Sequence, residues 1–266
     1  MRGGTLPPRA VAVTFDDGYR DNLELAVPLL EHLALPATFF LVPEVLSGQV
    51  EPWWELVAWA FACTTRTALH WEGDDYPLAV PSSRRSTSNR VAERLKRRNH
   101  DARMRAARQL VDLLAPKDPE RRPDLFFDWD GARELVRRGF EVGSHSARHA
   151  ILSEETPAEQ RRDLVDSRRQ LQDRLSIGVE LLAYPNGTPL DYDEATVDAA
   201  STAGYDGAVT TIDGANTGGT PPFELRRFVM YPERGVAGLA VAGRHAARSL
   251  AGSLPRPPGR RSPNRP

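Results

Sequence analysis

The sequence predicts an α/β protein built on a mainly parallel sheet, either an α/β barrel or a doubly wound sheet. Three observations lead there. A β-rich run at Val11–Thr14, a leucine-bearing helical stretch over 21–34 and a second apolar run at Ala37–Val42 make a βαβ unit. Further short apolar runs at 139–143, 181–184, 208–210 and 225–230 follow, separated by helical patterns. Polar clusters sit directly after several of these runs, where the carboxyl ends of parallel strands converge on one face.

The elements follow in order. Val11–Phe15 reads as a short buried strand because of its β-branched residues, and it runs into Asp16-Asp17-Gly18. Leu25, Leu29, Leu30 and Leu33 recur at helical spacing, with Pro28 starting or kinking the helix. Ala37–Val42 is the second strand. From about 47 to 124 the character changes, which predicts an insertion between the second and third strands. Pro52–Phe61 is an aromatic helix whose Trp53, Leu56, Val57 and Ala60 share one face and predict core; its three Trp could also form a sugar-stacking platform. His70–Val80 predicts a small hairpin around Gly73-Asp74, Pro81–Arg90 a Ser/Arg-rich loop, and 91–114 one basic amphipathic helix with a solvated arginine face. A short helix over 131–138 leads to the third strand. A helix over 156–175 with Leu164, Leu171 and Leu175 inward leads to the fourth, and one over 195–203, closed by Gly204, leads to the fifth. Leu225–Met230 is a sixth. Residues 1–243 thus make one domain carrying the 47–124 insertion. Residues 244–266 hold six arginines, five prolines and no acid, and predict a disordered basic tail.

Composition excludes several classes. The 266 residues carry a net charge of -1, so neither nucleic acid nor an anionic membrane is expected as the main partner. The lone Cys63 rules out an intramolecular disulfide and reads as a small buried hydrophobe. No secretory leader and no 18-residue apolar span is found, so the sequence as it stands predicts a cytoplasmic protein without a transmembrane segment.

The chemistry lies at three strand ends: Asp16-Asp17, His145 with His149, and Tyr184–Gly187. Two adjacent carboxylates repel unless a cation or a donor offsets them. His145 and His149 are four apart, a spacing that on a helical turn brings both imidazoles to one ion. Two neutral imidazoles and one carboxylate suit Zn²⁺ and leave positions open for water and substrate.

Thr14-Phe15-Asp16-Asp17-Gly18 and His145-Ser146-Ala147-Arg148-His149 resemble the first two motifs of the polysaccharide deacetylase family, carbohydrate esterase family four; Ala183-Tyr184-Pro185-Asn186-Gly187 resembles a variant of the third. The resemblance covers about residues 9–42 and 125–230. It implies a distorted (β/α) barrel that removes acetyl groups from N-acetylated polysaccharide or a glycan intermediate. It further implies that Asp17, His145 and His149 bind a divalent metal, Zn²⁺ foremost with Co²⁺, Mn²⁺ or Ni²⁺ as alternatives, and that Asp16 is the general base. The backbone N–H of Asn186 would help stabilise the oxyanion. The departures are specific. Ala183 stands where the family often has an Arg that orients the base, and Arg227 is the candidate substitute. No counterpart of the family's late His is found, since His245 alone follows residue 149 and lies in the basic tail, and the Asp-Trp element that the family commonly has after the third motif is not found. Two alternatives stay open: a glycan-binding member with little or no activity, and a hydrolase of another non-peptide amide. The substrate glycan and the oligomeric state are not readable from the sequence.

Overall fold

The computed structural model describes residues 10–117 and 123–230. Its centre is a five-stranded parallel sheet in the order β1-β2-β5-β6-β7, curled into a half-barrel with helices around it. The strands are β1 (Val13–Asp17), β2 (Ala37–Leu41), β5 (Glu141–Ser144), β6 (Leu181–Ala183) and β7 (Gly207–Val209). β2 is buried at every position, as expected of a central strand covered on both faces. β1 pairs with β2 in a register that sets Asp17 opposite Leu41, and β2 pairs with β5 so that Leu41 faces Ser144. All carboxyl ends therefore leave the sheet on one side. Gly143 in β5 is required by close packing, since a Cβ there would lie 2.5 Å from Phe40 Cδ1 and 3.0 Å from the Leu181 carbonyl.

The first crossover differs from its sequence pattern. Asn22–Ala26 is a π-helical turn, and the α-helix that follows it is Val27–His32 (α1). The wider turn rotates the face that follows. Val27 and Leu30 point inward, while Leu25, Leu29 and Leu33 of the expected apolar stripe are exposed. The short α2 (Pro43–Leu46) follows β2. Later crossovers are regular. α6 (Trp129–Arg137) starts on Asp128, whose side chain accepts from the N–H groups of Asp130 and Gly131. α7 (Pro157–Leu175) begins with a reciprocal Thr156–Glu159 cap and buries Leu164, Leu171 and Leu175. α8 (Glu194–Thr202) starts on Asp193 and ends near Gly204, whose φ of 89° suits glycine. The expected sixth strand at 225–230 is reduced to one parallel bridge, Leu225 to Val209; residues 226–230 are not in a strand, and the Arg227 N–H donates to the Ile212 carbonyl at 3.2 Å.

Between β2 and β5 the chain builds a unit with its own core. It contains α3 (Trp53–Cys63), the hairpin β3 (Ala68–Trp71) and β4 (Asp74–Pro77), α4 (Pro81–Lys96) and α5 (His100–Leu114). Trp53, Leu56, Val57 and Ala60 are buried as their spacing required, against Trp71, Tyr76, Leu95 and Leu110. The hairpin turns at Glu72-Gly73, one residue earlier than expected, with both φ angles positive as in a type I′ turn. The Ser/Arg-rich stretch is not a loop. Pro81 occupies the first turn of α4, where its missing N–H costs nothing, and Ser83 bonds the backbone of Val80 in both directions. Asn99 then breaks the expected single helix by capping α5 through the N–H of Ala102. One arginine leaves the solvated face: Arg103 is fully buried over the Trp53 ring, donating to the carbonyls of Leu95 and Arg98. Cys63 is partly buried. The basic segment 244–266 and His245 lie outside the described residues. Among the described residues no helix is long and apolar enough to cross a membrane.

Two stability predictions follow from this packing. Gly143→Ala forces Phe40 out of its place and costs about 1–3 kcal/mol in a urea titration. His100 opens α5 and is buried against the main fold, its N–H donated to Glu155. Burial, reinforced by Arg148 and Arg103, pushes it down to about 4 from 6.5. The unfolded chain therefore binds a proton below pH ~6.5 that the folded chain refuses until pH ~4. This contribution is fully present above that window and is lost as pH falls through it. Unfolding free energy measured against pH should fall by up to about 3 kcal/mol more in the parent than in His100→Gln across this interval.

Candidate active site

The site is assembled from the ends of β1, β5 and β6. β1 delivers Asp16 and Asp17, and the chain then turns through Asp17 at φ 75° and Gly18 at φ 86°. The turn is pinned by Phe127 N–H to the Gly18 carbonyl (3.2 Å) and Arg20 N–H to the Leu125 carbonyl (2.7 Å). β5 delivers His145, whose N–H donates to the Leu41 carbonyl at 2.9 Å. The two histidines do not share a helical turn, contrary to the spacing argument. Residues 145–150 form a loop in which Ser146 (φ 61°) and His149 (φ 52°) are left-handed, and that loop folds the second imidazole back toward the first. The loop is held from behind by α7. The buried Asp163 accepts from the N–H of Ala147 at 2.7 Å and pairs with Arg148 Nε at 3.2 Å. Burial pushes the Asp163 carboxyl up, against the pull of Arg148 and Ala147.

His145, His149 and Asp17 meet. Asp17 Oδ1 lies 3.4 Å from His145 Nε2 and 3.3 Å from His149 Nε2, and one ligand atom from each residue falls within 4.8 Å of the others. The His145 Nδ1–H donates to the Ala183 carbonyl at 2.8 Å, which leaves Nε2 as the free lone pair toward Asp17. Burial pushes the Asp17 carboxyl up, but the two facing imidazoles outweigh it and hold the group well below the usual carboxylate range. Burial lowers His149, whereas in His145 the neighbouring carboxylates overcome burial and raise it. Asp17 Oδ1 is nonetheless buried without a hydrogen bond among the described residues. A buried carboxylate oxygen with no hydrogen bond among the described residues, facing the Nε2 atoms of two imidazoles, is an arrangement that a divalent cation can satisfy. The donor set fits the metal expected from the sequence.

Asp16 is held differently. Arg227 Nη1 and Nη2 donate to its two oxygens at 2.8 Å each, a bidentate fork. The same guanidinium donates to Thr14 Oγ1 (3.1 Å) and, through Nε, to the Thr210 carbonyl (2.9 Å). Arg227 thus ties the last described segment across the half-barrel to β1. Asn186 stands beyond β6 at φ 59°; its carbonyl accepts from Thr211 Oγ1, and its Nδ2 is buried without a partner among the described residues. No hydrogen bond among the described residues joins Asn186 to the Asp17 group.

Sequence reasoning missed three contributors, the first being Asp163 behind the histidine loop. Trp54, one residue from the core-facing Trp53, lies against His149 with ring centroids 4.1 Å apart. Tyr19, directly after the Asp-Asp-Gly turn, accepts from Trp54 Nε1 at 2.8 Å and donates to Glu55 at 2.7 Å. The Trp-Trp-Glu run beside an Asp-Asp-Gly-Tyr turn was visible, but nothing in the sequence says that the two approach each other.

An Asp-Asp-Gly motif and a His-x-x-x-His motif brought together at the carboxyl ends of a curled parallel sheet define a known class of protein. The chain belongs to the polysaccharide deacetylase family, whose model matches residues 3–208. It is 30% identical over 108 residues to the putative polysaccharide deacetylase YxkH of Bacillus subtilis, a match covering 41% of this chain and 37% of that protein. Its fold is similar to that of the Streptococcus pyogenes deacetylase PplD in complex with acetate, at a TM-score of 0.57 and 17% identity over 90% of this chain and 72% of that one. IcaB from Ammonifex degensii is similar at a TM-score of 0.52 and 19% identity, over 90% and 73% of the two chains. A polysaccharide deacetylase from Bacillus cereus is similar at 0.53 and 18%, over 88% and 51%.

Asp163 gives the prediction here. Asp163→Ala leaves Arg148 and the Ala147 N–H without their buried acceptor and should cost about 3–5 kcal/mol. Urea unfolding of metal-free protein measures it.

Proposed function

We propose that this chain is a metal-dependent deacetylase of an N-acetylated polysaccharide or glycan intermediate, hydrolysing the acetamide C–N bond to release acetate and leave a free amine. One observation carries this reading: the buried, donor-less Asp17 Oδ1 facing His145 and His149, beside an Asp16 clamped by Arg227. Family membership supports the same chemistry.

Asp17, His145 and His149 would hold the ion, and Zn²⁺ suits them best, with Co²⁺, Mn²⁺ or Ni²⁺ as alternatives. A divalent ion bound there supplies Lewis acidity to the attacking water and to the amide carbonyl. Asp16 is the general base. Each of its oxygens accepts once from Arg227, which leaves lone-pair capacity to receive the proton of the attacking water. Arg227 is a positioning residue: its fork fixes the plane of the Asp16 carboxylate, the task the family gives to an Arg at the position of Ala183. The backbone N–H of Asn186 helps stabilise the oxyanion as the carbonyl carbon becomes tetrahedral. The departing nitrogen then needs a proton. Among the described residues no late histidine supplies it, and the proton taken up by Asp16 is the one at hand. Its return to nitrogen as the C–N bond breaks balances the reaction.

That missing histidine favours one other reading, a glycan-binding member that turns nothing over. Acetate release from chito-oligosaccharides and other N-acetylated glycans separates the two. Metal-stripped protein should be inactive and recover with Zn²⁺ or Co²⁺. Asp16→Asn should lower kcat by a factor of roughly 10²–10⁴. Arg227→Lys, which cannot form the fork, should lower kcat with little change in KM. Release insensitive to both chelation and Asp16→Asn would sink the mechanism, and glycan binding without any acetate would select the second reading.

A further inference from the structure

The two histidines of the site are oriented in different ways. A metal-binding imidazole is normally fixed by a hydrogen bond from its other nitrogen to a carbonyl or carboxylate. His145 has that bond, Nδ1 to the Ala183 carbonyl. His149 does not: its Nδ1 is buried and has no partner among the described residues. Its backbone is also held at φ 52°, a left-handed conformation that costs a non-glycine residue of order 1 kcal/mol or more. Something other than a hydrogen bond must keep this ring in place.

The contact that remains is packing. The indole of Trp54 lies on the His149 ring with centroids 4.1 Å apart and planes tilted by 37°. On another side the edge of His145 meets it at 4.9 Å. Trp54 is itself fixed. Its Nε1–H donates to the Tyr19 hydroxyl, that hydroxyl donates to Glu55, and Phe126 packs edge-on at 6.1 Å. Tyr19 stacks on Phe126 at 4.5 Å and follows Gly18 directly. One connected cluster therefore runs from the Asp16-Asp17-Gly18 turn, through Tyr19 and Trp54, to His149. Trp54 and Glu55 belong to α3, the first helix of the segment inserted between β2 and β5.

We propose that Trp54 is the positioning residue for His149, so that the inserted helix α3 is a working wall of the metal site. The indole face fixes the orientation of the His149 ring by packing, where the Ala183 carbonyl fixes that of His145 by a hydrogen bond. The Tyr19–Glu55 bond keeps the indole and the carboxylate turn in step. This inference rests on the metal-site reading above.

The test measures metal affinity, apart from turnover. Metal-free protein is titrated with Zn²⁺ against a chromophoric chelator, and unfolding of the metal-free form is followed in parallel. Trp54→Ala should weaken Zn²⁺ binding by about 10–100-fold, the range typical of groups that orient a metal-binding side chain. Trp54→Phe keeps a ring against His149 but loses the bond to Tyr19, and should recover most of the affinity. Tyr19→Phe should weaken binding less than Trp54→Ala. The imidazole resonances of His149 in the metal-free protein should broaden or split in Trp54→Ala and not in Trp54→Phe. Unchanged affinity in a folded Trp54→Ala overturns the proposal, as does a Trp54→Phe as weak as Trp54→Ala. If Trp54→Ala does not fold, the Trp54→Phe and Tyr19→Phe affinities decide the matter. Failure of the parent protein to bind Zn²⁺ or Co²⁺ at all would instead overturn the metal-site reading.

Discussion

A single buried carboxylate oxygen organises this protein. Asp17 Oδ1 sits at the end of β1 without a hydrogen-bond donor among the described residues and with two imidazoles within 3.4 Å. An uncompensated charge in that position costs several kcal/mol, so the structure must hold both histidines where a cation can join them. The sheet register does the coarse work. Asp17 is set opposite Leu41, and the Leu41 carbonyl receives the His145 N–H, so one residue of β2 links the two ends. Asp163 of α7 does the fine work by gripping the loop between the histidines. Four non-glycine residues here, Asp17, Ser146, His149 and Asn186, are left-handed. Such strain persists where surrounding contacts over-determine the backbone, and it concentrates at functional sites.

The two acids of β1 face opposite constraints. Asp16 keeps the strand conformation and Asp17 leaves it at φ 75°, so the two carboxylates take different hydrogen-bonding and ion-pair partners. Asp17 turns to the imidazoles. Asp16 turns to a guanidinium whose backbone lies more than two hundred residues further along the chain. Mutual repulsion, the obvious problem of an Asp-Asp pair, is eased by giving each carboxylate its own partner, Arg227 for Asp16 and the two imidazoles for Asp17. The inserted unit adds a further layer. It carries an independent apolar core, yet it sends Trp54 against His149 and Glu55 to the Tyr19 hydroxyl, and it buries His100 and Arg103.

Legibility in the sequence followed the physics of each signal. β2 was readable because a central strand buried on both faces must be apolar throughout. The α3 core face was readable because its periodicity survives any packing partner. The α1 stripe misled because a π-helical turn changes the angle between residues, so Leu25, Leu29 and Leu33 kept their spacing and lost their face. The 81–90 stretch misled because composition argued for a loop, while local capping by Pro81 and Ser83 argued for a helix and prevailed. Arg103 misled because no sequence pattern distinguishes a solvated arginine from one stacked on a buried indole.

The sequence by itself determined the class of fold, the family resemblance and three residues that come together in the structure, Asp17, His145 and His149. Those depend on residue type and short spacing, which are local quantities. Tertiary structure alone decided that the His145–His149 pair converges through left-handed loop residues and not a helix. It also decided that Arg227 forks onto Asp16, and that Trp54 of a distant insertion covers His149. Each of these is a contact between segments far apart in the chain. Its existence depends on strand register and helix packing, and no local pattern in the amino-acid sequence encodes those distances.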